Sequence, residues 1–165
     1  MSGLADFRLI ETSKLKDLRN AAEIKFERGF LSKMKIDGYP RFLEMNAKKL
    51  KDFKWSGFVF AHLLVFLKEK KGINLLDNEF TPDAMDIANK RQNSTIIFTY
   101  NQKQESIYKL IPDNFNLQEL IDFNKEFSNE ANPELAKVEL EGVKSLKENL
   151  EFIIDDNVVI LLSIG

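Results

Sequence analysis

His62 is the only histidine among the 165 residues, and so the one side chain whose ordinary pKa lies near neutrality. It stands in Phe58-Val59-Phe60-Ala61-His62-Leu63-Leu64-Val65-Phe66. Burial there would keep the imidazole neutral and able to act as a general base. The plainer reading is a structural histidine satisfied by a nearby carbonyl or hydroxyl, and that is the expectation. One histidine excludes any multi-histidine metal site. A Ser–His–Asp arrangement needs only one, but no Gly-x-Ser-x-Gly elbow accompanies it. The sequence has no cysteine, which excludes disulfides, zinc–thiolate sites, iron–sulfur clusters and thiol nucleophiles. Gly-x-Gly-x-x-Gly, P-loop and His-Glu-x-x-His motifs are absent too. No catalytic residue, metal or cofactor is expected.

Carboxylates offer a different chemistry. Glu119, Asp122, Glu126 and Glu130 fall at i, i+3, i+7 and i+11, which places them on one face of a helix. Acid–base work needs one carboxyl in an apolar setting, whereas these read as solvated. Hard cations want convergent oxygens from a shaped loop, so metal binding is not expected. The remaining readings are a docking surface for a basic protein and a plain solvated face. Asp155 and Asp156 suit a turn and would serve as rim charges of the same surface. Asp83 and Asp86 sit early in a helix, where the dipole favours them. Lys48, Lys49, Lys51 and Lys54 run up to Trp55, and Lys68, Lys70 and Lys71 close a helix. Basic residues beside an aromatic can contact nucleic acid. The overall pI of 5.6 argues against that, and a solvated face is expected. Tyr39, Trp55 and Tyr100 are the amphipathic aromatics that would anchor an interface if exposed.

The charge is polarised along the chain. Residues 1–71 carry 16 Lys/Arg and 9 Asp/Glu, and residues 72–165 carry 8 and 17. The net −2 is thus +7 against −9, and residues 112–165 alone hold 12 carboxylates and 4 lysines. Such a field orients and steers a charged partner.

These residues must be positioned by a fold. The length fits one domain spanning residues 1–165, and 14 phenylalanines supply a core. The N-terminus lacks a basic region followed by an apolar one, so no signal peptide is expected, and a cytoplasmic location is. The most apolar stretch, 57–67, is too short to cross a bilayer. Leu15, Leu18, Ala22 and Phe26 predict a helix over 13–26 capped by Ser13 and interrupted at Gly29. Asp37-Gly38 predicts a turn, and Pro40 opens a second helix with Phe42, Met45, Leu50 and Phe53 inward. A third helix runs from Ser56 to Lys71 and stops at Gly72, apolar nearly all round. Thr81-Pro82-Asp83 reads as N-cap, N1 and N2 of a fourth.

The period then changes. Residues 95–100 and 106–111 predict a β-hairpin, with the four polar residues Asn101 to Gln104 as its loop. Asn116 caps a helix with Leu117, Leu120, Ile121 and Phe127 inward. Asn132-Pro133-Glu134 opens another, with Leu135, Val138, Leu146 and Leu150 as apolar positions and Gly142 within it. Phe152-Ile153-Ile154, Asp155-Asp156-Asn157 and Val158 to Leu162 predict a C-terminal hairpin whose last strand is apolar on both faces and so central. The fold class is α+β: a helical N-terminal half packed on a small, mainly antiparallel sheet that includes this hairpin.

The functional expectation is a non-enzymatic, cytosolic protein-binding module. Its concrete form is an inhibitor or immunity protein that neutralises a basic toxin, such as a nuclease, through the acidic C-terminal surface. The competing expectation is a small enzyme or ligand-binding domain with a pocket near His62. A weaker third is self-association through oppositely charged halves.

Overall fold

Val158-Val159-Ile160-Leu161-Leu162 has no polar alternation, and the computed structural model, which describes residues 3–28 and 32–165, gives the reason. These residues open strand β6 (Val158–Ile164). It pairs antiparallel with β1 (Ala5–Glu11) on one edge and with β5 (Ser94–Phe98) on the other. Phe7 lies opposite Leu162, and Leu162 opposite Ile96. The short β4 (Ala47–Lys49) adds to the far side of β1, so the order is β4-β1-β6-β5 with every pair antiparallel. Side chains alternate across a strand. Ile160, Leu162 and Ile164 therefore enter one core, and Val159 and Leu161 the other. All five are at most 2% exposed.

Helices cover both faces of this sheet. Against Phe7, Phe98 and the even residues of β6 pack α3 (Val59–Lys71), α6 (Leu117–Ser128) and α7 (Pro133–Leu150). Against Ile10, Ile97 and the odd residues pack α1 (Leu15–Ala21), α2 (Tyr39–Asn46) and α4 (Thr81–Arg91). The α+β expectation holds, and the C-terminal strand is in the sheet.

Several helix boundaries follow their predicted chemistry. Gly72 ends α3 with φ +63°, a left-handed conformation that glycine adopts at little cost. The side chain of Asn116 accepts from the Gln118 amide at the start of α6, and Asn132 does the same for Glu134 in α7. Gly142 does not break α7. A Cβ there would lie 2.8 Å from Leu63 Cδ2, so its bare backbone lets α7 settle on α3.

Other expectations are corrected. Residues 100–106 form a helix, α5 (Tyr100–Ser106), instead of a hairpin loop. Thr99 Oγ1 accepts from the Gln102 amide and Gln102 Oε1 accepts from the Thr99 amide, a reciprocal capping box that nucleates the turn. The C-terminal hairpin is absent because both edges of β6 are taken by β1 and β5. Residues 152–154 instead turn off the end of α7, with Phe152 and Ile153 amides donating to Asn149 and Leu150 carbonyls. The first helix stops at Ala21. Phe26 lies beyond it in an antiparallel ribbon of β2 (Lys25–Arg28) and β3 (Lys33–Ile36), 65% exposed. Ser13 lies in a 3-10 turn (Thr12–Lys14) and caps nothing. The expected break at Gly29 falls outside the described residues. The second helix ends at Asn46 so that Ala47 can pair with Ile10, which leaves Met45 exposed. Leu50 and Phe53 reach the opposite core from the following loop. Phe58, not Ser56, occupies the cap of α3, and Phe80, not Thr81, that of α4.

Candidate functional site

Glu119, Asp122 and Glu126 of the acidic stripe lie on α6, whose sequence alternates that face with Leu120 and Phe123, both buried against α3 and α7; Glu130 falls past the helix end, because Asn129 turns left-handed after Ser128. Glu119, Asp122, Glu126 and Glu130 are all exposed. Three of them line an open groove of about 290 Å³ between α6 and the end of α3, where Phe66, Phe123, Lys70 and Lys71 complete the wall. Phe66 and Phe123 meet edge to face at 5.3 Å. Lys71 Nζ lies 2.5 Å from Glu119 and 5.8 Å from the centre of the Phe66 ring. Its hydrogen bond holds the Glu119 carboxyl below the ordinary range, against an opposing effect of burial. Lys70 approaches Glu126 more loosely, at 3.7 Å. Among the described residues Asp122 accepts only from the neutral Gln118 side-chain amide, at 2.8 Å. The groove thus already holds one ammonium between a carboxylate and a ring, with Asp122 and Glu126 still open to another.

Asp155 and Asp156 lie past the C-terminal end of α7. Asp155 closes a turn by accepting from the Asn157 amide at 2.9 Å, at the far end of α7 from Glu130. The four-residue connection between α6 and α7 makes the pair an antiparallel hairpin. The 18 residues of α7 put about 27 Å between its ends. The structure brings Glu119, Asp122 and Glu126 together at one groove and places the two aspartates in a turn far from Glu130.

His62 lies on α3, half-buried, edge to face with Phe127 at 5.4 Å. Its Nδ1 is buried and without a hydrogen-bond partner among the described residues. Tyr39 is 94% buried under the Arg91 guanidinium, which sits 4.7 Å from its ring, so it is no exposed anchor. Tyr100 is half-buried against the larger core. Trp55 alone of the three is well exposed, at 43%, with Lys54 Nζ 5.2 Å over its ring. Many lysines singled out in sequence are neutralised locally: Lys49 by Asp52, Lys51 by Glu148 and Lys68 by Asp77.

A buried polar pair was not foreseen. Asn124 of α6 donates through Nδ2 to Glu139 Oε2 of α7 at 2.7 Å, and both residues are fully buried. Burial pushes the Glu139 carboxyl up to about 7. The Asn124 hydrogen bond opposes the rise and the nearby Glu130 charge adds to it. A signal was present: Ala136, Glu139, Val143, Leu146 and Leu150 share one helical row, and the carboxylate is its only polar member. Among the described residues no group of histidines and carboxylates is arranged to hold a metal ion, and no helix is long and apolar enough to cross a membrane.

Compared with family models, with curated proteins and with solved structures, the chain matches none of them.

Proposed function

We propose that this chain is a cytoplasmic, non-enzymatic protein-binding module whose α6 face captures a basic protein. In its most concrete form it is an inhibitor or immunity protein that masks a cationic toxin such as a nuclease. The observation that supports the reading is the groove between α3 and α6. Asp122 and Glu126 stand there beside the Phe66 and Phe123 rings, and Lys71 already occupies the same environment. An arginine or lysine from a partner would find carboxylates for its charge and rings for its stem. Glu130 follows the end of the helix, while Asp155 and Asp156 lie at the far end of α7 from it.

Capture from extracts of the source cells, followed by mass spectrometry and stopped-flow association, tests it. The expected partner is basic. Its on-rate should fall with salt, and should drop about tenfold or more at low salt when Asp122, Glu126 and Glu130 are all changed to lysine. A partner whose on-rate ignores both salt and these changes would sink the proposal.

A second reading, a small enzyme or ligand-binding domain near His62, draws on three buried atoms that lack partners among the described residues: His62 Nδ1, Asn124 Oδ1 and Glu139 Oε1. His62→Gln separates the two. On the first reading the variant still binds the basic partner; on the second it folds and loses activity.

A further inference from the structure

The β2–β3 ribbon stands apart from both cores. All eight of its strand residues are exposed, and an isolated two-stranded ribbon is at best marginally stable in water. Its register sorts the side chains. Phe26 lies opposite Lys35 and Arg28 opposite Lys33, so these four share one face. The other face carries Lys25, Glu27, Met34 and Ile36. One face therefore presents three cations and an aromatic ring with no carboxylate among them.

Elsewhere among the described residues ten lysines and arginines hold acids. Arg19 holds Asp83 and Asp86, Arg91 holds Asp37, and Lys137 holds Glu134. Among the described residues, Arg28, Lys33 and Lys35 enter no ion pair. Asp37 feels the Lys35 charge, but Arg91 grips both of its oxygens at 2.8 and 2.9 Å. The face is also concave at its base. Phe26 and Lys35 line a cleft of about 400 Å³ with Lys90 and Gln92 from the end of α4, and Glu23 is the one carboxylate on its wall. Phe26 remains 65% exposed, a costly placement for a large apolar ring.

We infer that this ribbon face binds single-stranded nucleic acid, with Phe26 stacking on an unpaired base and Arg28, Lys33 and Lys35 meeting the phosphates. Aromatic stacking beside a positive track is how single strands are held without sequence preference. The ring favours this ligand over an acidic protein, which would use the cations and leave Phe26 idle. It favours a single strand over a duplex, whose bases are already stacked. The acidic pI does not oppose it, because the average mixes two faces. The ribbon joins α1 to α2 on one side of the sheet, and the acidic α6 belongs to the other. The inference stands independently of the proposed capture of a basic protein.

Fluorescence anisotropy of a labelled 12-nucleotide oligo(dT) with the full chain is the test. Binding should be measurable at 50 mM salt and weaken about 20-fold at 200 mM, the slope for three phosphate contacts on a single strand. Phe26→Ala should weaken it roughly 5- to 150-fold. Joint Arg28→Glu, Lys33→Glu and Lys35→Glu changes should abolish it. Both variants should melt within about 2 °C of the parent, since they touch neither core. A duplex of the same length should compete poorly. The inference is overturned if no anisotropy change occurs at 50 mM salt. It is equally overturned if Phe26→Ala binds like the parent while polyglutamate competes as well as the oligonucleotide, since the ribbon would then be an acidic-protein site.

Discussion

Replacing Glu139 with glutamine should stabilise the protein in mild alkali and leave it nearly unchanged in mild acid. In the folded chain the carboxyl keeps its proton up to about 7, against an ordinary 4.5. Between those values the folded state binds more protons than the unfolded one, so stability falls as pH rises through this window and levels off above it. The full difference is about 3 kcal/mol at about 1.36 kcal/mol per pH unit. Glutamine carries no charge to bury. It can keep the bond from Asn124 Nδ2 and offer its own amide to Asn124 Oδ1, which has no partner among the described residues. Thermal melts of parent and Glu139→Gln at pH 5 and pH 8.5 decide the matter. The expected gain at pH 8.5 is about 6–12 °C for a chain of this length, with little change at pH 5. Glu130→Gln, which removes the neighbouring charge, should move the midpoint of the parent's pH dependence downward. An equal shift at both pH values, or a loss at pH 8.5, would refute the reasoning, because either means that the buried proton is not the controlling quantity.

Further outcomes follow from the packing. Gly57→Ala should destabilise by several kcal/mol, since its Cβ would stand 2.8 Å from the Ala5 backbone nitrogen. Gly142→Ala meets only Leu63 Cδ2 and gains helix propensity of about 1 kcal/mol, so its net cost in urea melts should be much smaller. Arg91→Lys loses the paired bonds to Asp37 and the stack on Tyr39, which should cost about 1–2 kcal/mol by chemical denaturation. Arg91 holds the Asp37 carboxyl below its ordinary 3.8, so that contribution is complete above this value and fades as pH falls through the lowered one. Deleting residues 158–165 removes five nearly fully buried apolar side chains, worth about 7–15 kcal/mol together, comparable with the whole stability of a domain. No cooperative melt should remain; a soluble truncation with the parent melting temperature would contradict the placement of β6.

Elements whose cause is local were legible in the sequence. Asn116 and Asn132 cap helices, Gly72 ends one, and an apolar run without alternation marked β6 as central. Elements whose cause is distant were not. Phe26 keeps helical spacing from Ala22, yet the chain leaves the helix to pair Phe26 with Lys35. The β-branched run at 95–98 is a strand, but the Thr99-x-x-Gln102 capping box was masked by the aromatic and aliphatic residues around it. Strand β1 escaped notice because Asp6 and Arg8 interrupt its apolar pattern, and they do so only because they share the side of the sheet facing Tyr39. The acidic stripe was readable from spacing alone. Its partial neutralisation by Lys70 and Lys71 was not, since that contact spans about fifty residues of sequence.

The order in which the sheet strands are made sets a clock on folding. Glu11 closes β1 and Val158 opens β6, its main partner, 147 residues later. A ribosome adding roughly 5–20 residues per second takes about 7–30 s over that stretch. Throughout that interval β1, and after Phe98 also β5, presents a strand edge whose partner has not been made, and such edges invite pairing with other chains. Asp6 and Arg8 place charge on β1 while it waits. The sheet can therefore close only after the helices of both layers have left the ribosome, so its assembly is a late event, with each nascent chain sheltered until then by those two charges and by whatever binds it in the cell.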